Sequence, residues 1–350
     1  MATVAVTGVA GLLGRRLVDA LDAHPAVDRV VGVDLATPVG MTATRFAFRP
    51  GDVRDPAIAD AFAGADVVVH LAFRIASSRD RSAMRAVNVE GTRTVVEAAH
   101  RAGVRRLVHL SSVVAYGAHP DNDLPLTEDS PLRGTPDYDY AEDKRDVEAW
   151  LWPWHREHPE LALTVLRPAA VLGPGVENVA TRLIEMVRTP AVVGHRPPMQ
   201  FVHVDDVVSA IVHVIERDLD GAYNVCAEGW LPYDEVAAAI GRGTVEVPEE
   251  LALTLVRGSW RAGVGELPGG VVRLLMHPWV MSPARLMATG WRPSFTNREA
   301  LAEAVEEHDD FVTLGRLRTT RTALAVAGRV AAAAATLGVV LAVRRRRAGR

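Results

Sequence analysis

Tyr140 and Lys144 are the two residues whose types and spacing most directly suggest catalysis. Lys144 is the only lysine in the 350-residue chain, which leaves 38 arginines among its 39 basic residues (39 − 1 = 38). A spacing of four residues in a helical segment places both side chains on one helix face. A cation within ~4–6 Å lowers the pKa of a neighbouring acid, as a tyrosine needs for proton exchange near neutral pH. We therefore predict that Lys144 lowers the pKa of Tyr140, which acts as a general acid or base.

Ser112 is a candidate for holding the reacting oxygen atom. It follows the strand-like run Arg106–Leu110, and strand carboxyl ends face the ligand crevice of open α/β sheets. A serine at such a place can donate a hydrogen bond to a carbonyl or hydroxyl group and align it with Tyr140. Ser111 has the same chemistry, so the residues alone leave open which serine acts.

Three glycines with G-x-x-G-x-x-G spacing join the first strand to the first helix. Gly8 permits a tight turn, Gly11 allows a pyrophosphate close to the backbone, and Gly14 permits close packing of helix and strand. The free N–H groups at the start of the helix favour phosphate binding. We predict a dinucleotide site that includes the backbone of Leu12 and Leu13. A purely structural turn is the alternative.

Two aspartates near strand ends are candidate contacts for the adenosine part of the dinucleotide. Asp34 ends the second strand, where a carboxylate can accept hydrogen bonds from ribose hydroxyls and repels a 2′-phosphate. Since no arginine follows closely, the sequence favours NAD over NADP. Asp52 and Val53 follow the third strand and are placed to meet the adenine, although Asp52 could equally be a turn residue.

Short apolar runs alternate with helical patterns through the first half of the chain. This order predicts an α/β fold with a doubly wound, Rossmann-type parallel sheet and helices on both faces. The predicted strands are Thr3–Thr7, Arg29–Asp34, Arg45–Phe48, Asp66–Leu71, Arg106–Leu110, Leu163–Leu166, Phe201–Val204 and Ala222–Cys226. The predicted helices are Leu12–Leu21, Ala57–Ala63, Met84–Ala102, Tyr138–Leu151, Val207–Glu216, Tyr233–Ile240 and Arg298–Leu314.

The regular alternation weakens after about residue 172. We predict a dinucleotide-binding domain at 1–172, which the chain re-enters near 200–226, and a smaller substrate lobe at 173–315. A C-terminal segment, 316–350, has a different composition.

The composition excludes several classes of protein. Hydrophobic residues make up 49% and charged residues 23% of the chain, which is ordinary for a folded globular protein. A net charge of −4 argues against a nucleic-acid partner. The single cysteine, Cys226, excludes an internal disulfide and a cysteine-rich zinc site, and it fits a reducing compartment. No metal site is predicted. A strand beginning at Thr3 leaves no room for a leader peptide, so we expect a cytoplasmic protein.

Taken together, these residues resemble the extended short-chain dehydrogenase/reductase family, and within it the NAD-dependent epimerase/dehydratase group. The resemblance covers about residues 3–310. It is carried by Thr7–Gly14, His70-Leu71-Ala72, Asn88–Thr92, Ser111–Gly117, Tyr140–Lys144, Leu166-Arg167-Pro168 and Phe201–Asp206.

The resemblance implies roles for individual residues. The family pattern S-x-x-x-Y-G selects Ser112, since Tyr116 lies four residues further on. Tyr140 would be the acid/base, Lys144 the ribose ligand and pKa modifier, and Ser112 the group that aligns the substrate. Asn88 would help to organise the site and the cofactor. Leu71, Ala72 and Pro168 would lie along the cofactor.

Departures from the family pattern narrow the reaction. Sugar 4,6-dehydratases carry Asp-Glu where this chain has Val113 and Val114, which cannot transfer protons. Nucleotide-sugar epimerases tend to carry an asparagine soon after the Arg-Pro step, and a basic residue before the Phe201 run. The corresponding residues here are Ala169, Ala170, Met199 and Gln200, although Arg182, Arg188 or Arg196 could replace the missing diphosphate contacts.

The expected activity is hydride transfer between NAD and a secondary alcohol or ketone on a small molecule, with an apolar or steroid-like substrate favoured. A nucleotide-sugar epimerase and a non-catalytic NAD-binding scaffold stay open as alternatives, and a homodimer is one expected assembly.

The C-terminal segment suggests a second kind of contact. Ala323–Val343 carries one charge, Arg329, and four arginines follow it. We consider a membrane contact through residues 323–347, a helix packed on the enzyme or a second subunit, and a disordered tail.

Overall fold

A computed structural model describes residues 2–323 and residue 326. Its strands are β1 (Ala2–Thr7), β2 (Val27–Asp34), β3 (Phe46–Pro50), β4 (Val67–His70), β5 (Arg106–Leu110), β6 (Ala162–Pro168), β7 (Ala170–Leu172), β8 (Thr189–Val192), β9 (Phe201–His203), β10 (Gly221–Val225), β11 (Thr244–Val247), β12 (Phe311–Leu314) and β13 (Leu317–Thr320).

The helices cover both faces of the sheet and build most of the second half. They are α1 (Leu12–Ala23), α2 (Ala59–Phe62), α3 (Arg81–Arg85), α4 (Gly91–Arg101), α5 (Asp139–Glu157), α6 (Val179–Ile184), α7 (Val204–Glu216), α8 (Tyr233–Ile240), α9 (Glu249–Ala262), α10 (Ala284–Met287) and α11 (Asn297–His308). Short 3₁₀ segments lie at Pro56–Ile58, Val113–Ala115 and Gly269–Leu275, and a π-helical turn at Ala86–Glu90.

Seven parallel strands form the central sheet, in the order β10-β6-β5-β4-β1-β2-β3. The inner strands consist mainly of buried β-branched residues; all four residues of β4 are buried. Such runs suit a strand that is covered by helices on both faces. The predicted α/β fold with a doubly wound parallel sheet is confirmed.

The second half of the chain is attached to the sheet at two strands. The chain leaves the sheet at Pro168 and returns as β10, which pairs with β6. Outside the central sheet, β7 pairs with β9, β8 with β11 and β12 with β13. The division at residue 172 remains a prediction.

Three predicted elements differ from the structure. The helix expected over Arg298–Leu314 ends at His308, and the residues from Phe311 form a hairpin strand. The helix expected over Met84–Ala102 is interrupted by the π-helical turn. Leu317–Thr320, expected to belong to the C-terminal segment, is the second strand of that hairpin.

The predicted membrane contact at 323–347 lies outside the described residues, except for residues 323 and 326. Within residues 2–323, no helix has the length and apolar character needed to cross a bilayer.

Candidate active site

A cleft of about 820 Å³ runs along the carboxyl ends of β1 to β6. It is the crevice in which open α/β sheets bind their ligands. Most of the predicted site residues line it: Gly8, Gly11, Leu12, Leu13, Gly14, Asp34, Asp52, Val53, Leu71, Ala72, Ser112, Tyr140 and Lys144.

The glycine turn has the close backbone contacts that its spacing predicts. Gly8 has φ +80°, and a Cβ atom there would lie 2.7 Å from the Ala72 nitrogen. A Cβ atom on Gly14 would lie 2.2 Å from the Gly8 carbonyl oxygen, so only glycine lets α1 approach the turn so closely. At Gly11, apart from its two chain neighbours, the Gly8 carbonyl oxygen at 3.3 Å is the one atom of the described residues within 4 Å of such a Cβ. The open side of Gly11 therefore leaves room for a ligand against the backbone.

The first turn of α1 is suited to an anion. Gly11 is the N-cap residue and provides no side chain to bind the free N–H groups. Leu12, Leu13 and Gly14, which supply those groups, line the cleft. Uncapped amides at a helix start, with the helix dipole behind them, fit a pyrophosphate.

Asp34 and Asp52 lie at the same end of the cleft but are held differently. One carboxylate oxygen of Asp34 accepts a hydrogen bond from the Ala10 N–H (3.0 Å), which ties it to the glycine turn. The Asp52 carboxylate forms an ion pair with Arg54 (2.5 Å) and accepts its backbone N–H, contacts that lower the Asp52 pKa. Arg54 also lines the cleft and was not predicted.

Tyr140 and Lys144 share one face of α5 and open into the cleft, as predicted, but the pKa of Tyr140 is raised where the sequence predicted that it would be lowered. Burial raises the pKa of Tyr140 to about 12, and the nearby Ser112 hydroxyl only partly opposes this. The spacing of the two residues could not reveal this desolvation. Lys144 Nζ lies 5.9 Å from the centre of the Tyr140 ring, and it donates its hydrogen bond to the Leu110 carbonyl oxygen and not to the Tyr140 hydroxyl.

Lys144 is almost fully buried, with 2% of its surface exposed. Its ammonium group donates a hydrogen bond to the Leu110 carbonyl oxygen (2.6 Å) and lies 3.5 Å from the centre of the Phe73 ring. Burial lowers the pKa of Lys144 to about 7, while the carboxylates of Glu148 and Asp143 act in the opposite direction. Its charge can therefore change near neutral pH.

The two serines at the end of β5 have separate environments. Ser112 lines the cleft, and its hydroxyl accepts a long contact from the Val114 N–H (3.4 Å). Ser111 also borders the cleft, but its hydroxyl donates to the buried carboxylate of Glu148 (2.5 Å). Ser111 is therefore engaged by the protein, which supports Ser112 as the group available to a substrate.

Two predicted site residues lie behind the cleft wall. The Asn88 side chain is buried; it accepts from the Arg74 N–H (2.7 Å) and donates to the Arg74 carbonyl (3.1 Å) and to Asp143 (3.1 Å). Asn88 therefore braces the loop that carries Phe73 and Arg74. Pro168 ends β6, and the next residue, Ala169, reaches the cleft instead.

The other end of the cleft has a largely apolar wall, part of which was not predicted from the sequence. Leu274, Leu275 and Trp279 come from the 3₁₀ segment and the loop that follows it. They line the cleft together with Phe73, Ile75, Val113, Val114, Val176, Leu183 and Met199. Nothing in their spacing signals a site, since they come from separate segments without a common period.

The charged groups of the cleft are few. Among the described residues, its ionisable acids and bases other than Tyr138 and Tyr140 are Asp34, Asp52, Arg54, Arg74, Lys144 and Glu177. Arg182, Arg188 and Arg196, considered above as diphosphate contacts, do not line it. Arg182 pairs with Glu185 (3.0 Å), and Arg196 pairs with Asp234 (3.2 Å).

Comparisons with known proteins identify the family of this chain. The model of the NAD dependent epimerase/dehydratase family matches residues 4–226. A dTDP-glucose 4,6-dehydratase of Streptomyces griseus is 32% identical over 275 residues, which cover 70% of this chain and 81% of the relative. Human short-chain dehydrogenase/reductase family 42E member 1 is 32% identical over 236 residues, 62% of this chain and 58% of the relative.

A solved structure has the same fold. The UDP-glucose 4-epimerase of Thermus thermophilus, in complex with NAD, is 25% identical; the match covers 88% of this chain and 99% of that chain, with a TM-score of 0.68. The chain belongs to the NAD-dependent epimerase/dehydratase family of extended short-chain dehydrogenases/reductases. It is an enzyme of this kind.

Proposed function

We propose that the protein is an NAD-dependent dehydrogenase or reductase that transfers hydride at a secondary alcohol or ketone carbon of an apolar substrate. The observation that carries this proposal is the position of Ser112, Tyr140 and Lys144. They open into the same cleft as the glycine turn, next to its apolar wall.

The cleft suits a dinucleotide through its backbone. The amides of the α1 first turn would bind the pyrophosphate, and Asp34 would accept hydrogen bonds from the adenosine ribose. A carboxylate there repels a 2′-phosphate, and Arg54 is engaged by Asp52; both features favour NAD. When bound, NAD supplies or accepts the hydride.

The proton is handled by the side chains of this chain. In the oxidation direction the deprotonated Tyr140, as a phenolate, would take the substrate hydroxyl proton, while Ser112 holds the substrate oxygen. A phenol with a pKa of about 12 needs a nearby cation for this step. Charged Lys144 would supply it, and its remaining N–H groups would bind the nicotinamide ribose.

The wall of the cleft favours an apolar substrate. Val113 and Val114 stand beside Ser112, where a 4,6-dehydration would need proton-transferring groups. Gln200 is buried and binds backbone groups at Ala227, Gly229 and Met281, so it offers little to a diphosphate.

A nucleotide-sugar epimerase is the second candidate. It is supported by the similarity to the Thermus epimerase and by Arg74, a cation in the cleft that could meet a diphosphate. A non-catalytic NAD-binding scaffold, the third alternative from the sequence, is set aside because the chain belongs to a family of enzymes.

A substrate screen tests these proposals. Sterol-like and aryl secondary alcohols and UDP- and dTDP-sugars would be offered with NAD and with NADP, and NADH or NADPH formation and sugar epimerisation would be followed. We expect NADH formation with an apolar alcohol. Epimerised sugar without net NADH would establish the second candidate, and NADH binding without turnover on any of these substrates would contradict both candidates.

The membrane contact, the cytoplasmic location and the homodimer remain proposals. They would be tested by fractionating and sizing the full chain beside a version that ends at Ala323. Identical behaviour of the two would contradict a role for the C-terminal segment.

A further inference from the structure

We propose that Glu148 is a positioning residue of this active site. Its buried carboxylate favours the charged form of Lys144 and fixes the ends of β5 and β6 around the reacting groups. This inference rests on the proposed function, because it assigns Glu148 to the same Tyr140–Lys144 machinery.

Glu148 continues the catalytic face of α5. Tyr140, Lys144 and Glu148 follow one another at intervals of four residues, so they form one row along the helix. The Glu148 side chain is completely buried. An acidic residue so placed would be costly without strong partners.

Two of its partners lie at the carboxyl ends of neighbouring strands. Arg167 of β6 donates three hydrogen bonds to the Glu148 carboxylate, from Nε at 3.0 and 3.1 Å and from Nη2 at 2.6 Å. The Ser111 hydroxyl, just beyond β5, donates at 2.5 Å. The Trp152 indole N–H adds a contact at 3.3 Å.

These partners are sequence neighbours of the residues that face the cleft. Ser111 precedes Ser112, and Arg167 precedes Pro168 and Ala169. Arg167 also donates to the Tyr116 hydroxyl (2.7 Å) and is 3% exposed, so its position is well fixed. Glu148 thus joins the catalytic helix to both strand ends at one point.

The titratable groups around Lys144 set the background against which the effect of losing Glu148 on the Lys144 pKa would be measured. On α5 it is faced by Tyr140, Asp143 and Glu148; the Asp143 carboxylate lies 3.4 Å from Arg85. From β4 and β5 it is faced by His70 and His109, whose pKa values are lowered by burial and by Lys144.

Removing the negative charge of Glu148 would take away a carboxylate that favours the charged form of Lys144, and it would leave Arg167, the partner of Glu148, as an uncompensated buried cation. Both changes disfavour the charged form of Lys144.

The experiment measures NADH affinity as a function of pH between about 5 and 9, because ribose binding needs charged Lys144 and its pKa of about 7 lies inside this range. Wild type should bind tightly at low pH and lose affinity as Lys144 deprotonates, and Lys144→Met should show no such midpoint. In Glu148→Gln we expect the midpoint to fall by about one pH unit. The double variant Glu148→Gln/Arg167→Met removes both buried charges and should return the midpoint towards wild type.

The double variant also provides the test if Glu148→Gln alone is too unstable, because removing both partners of a buried ion pair costs less stability than removing one of them. In that case, a double-variant midpoint that lies less than one pH unit below the wild-type midpoint supports the charge balance between Glu148 and Arg167. A double-variant midpoint that lies one pH unit or more below wild type contradicts it. The matched control is Glu142→Gln, the same substitution on the same helix, where the carboxylate pairs with Arg81 near the surface; its midpoint should not move.

The outcomes separate this inference from the proposed function. Weaker NADH binding at every pH with an unchanged midpoint in Glu148→Gln would assign Glu148 a structural role and overturn the inference. A wild-type protein that binds no NADH at any pH would overturn the proposed function itself, and the inference with it.

Discussion

The two ends of the cleft are built from different parts of the chain. At the proposed cofactor end, Gly8, Gly11 and Gly14 let a strand, a turn and a helix come close together, so the backbone itself shapes the cleft. At the substrate end the lining is mainly side chains, such as Leu275 and Trp279, which come from a 3₁₀ segment and a loop. Backbone geometry tolerates few substitutions, whereas a side-chain wall can change without altering the fold. Under the proposed function, the first end would therefore hold the cofactor, and the second would set the substrate.

Tyr140, where the two ends meet, should give the largest effect. Tyr140→Phe removes the proton donor and acceptor, and we expect turnover to fall by about 10²–10⁴-fold. NADH affinity should stay within a few-fold of wild type, because the glycine turn is untouched. Steady-state kinetics and NADH titration would measure both.

Tyr233→Phe is the matched control, since it removes a hydroxyl bound to the Pro190 carbonyl outside the cleft. Unchanged turnover in Tyr140→Phe would remove the acid/base role.

The buried charge of Lys144 should cost stability below neutral pH. Its pKa is about 7 in the folded protein and about 10.5 unfolded. The unfolded chain therefore binds more protons between these values, so the free energy of unfolding rises with pH across this window. Relative to Lys144→Met, wild type should gain a few kcal/mol from pH 7 to 10, at about 1.4 kcal/mol per pKa unit.

Denaturant unfolding of both proteins at several pH values measures this difference, and other titrating groups cancel in the comparison. A difference that stays constant with pH would show that Lys144 is not desolvated.

Lys144→Arg keeps the charge but should weaken the cofactor end. The ammonium group fits between the Leu110 carbonyl and the Phe73 ring, and a planar guanidinium would be overpacked there. We expect NADH affinity to fall by roughly tenfold, with a similar or larger loss of turnover.

Arg145→Lys, the reverse exchange at the next residue of α5, is the control, because Arg145 pairs with Asp146 away from the cleft. If Lys144→Arg has wild-type kinetics, a point charge is not required at this position.

Leu275→Ala should affect only the substrate end, and by the smallest amount. Losing this side chain from the wall should raise KM for an apolar alcohol by about tenfold, while NADH affinity stays the same. Leu251→Ala, which truncates a leucine that is 50% exposed on α9, is the control. An equal loss of NADH affinity in Leu275→Ala would show that the two ends are not separate.

The contrast also explains what the sequence could predict. Buried valine runs and glycine spacing are local signals, so the sheet, the turn and the Tyr140–Lys144 face could be predicted. The apolar wall at Leu274, Leu275 and Trp279 depends on the tertiary packing of distant segments. No periodic pattern in the sequence predicts it.

The spacing of residues along the sequence could not predict the electrostatic environment of Tyr140 and Lys144 either. The pKa of Tyr140 depends on how much protein surrounds its hydroxyl, and the charge of Lys144 depends on Glu148, which no motif reasoning selected. Likewise, the helical pattern after Arg298 did not predict that a hairpin strand begins at Phe311.

The return of the chain to the sheet as β10 affects how the protein folds while it is being synthesised. β10 covers the edge of β6, but more than fifty residues separate the two strands. During synthesis, β6 therefore emerges long before its partner, with unpaired N–H and carbonyl groups along one edge. Such an edge favours pairing with other chains, and late non-local pairing slows folding. Nascent chains that stop between Pro168 and Gly221 are thus the species in which aggregation should be greatest.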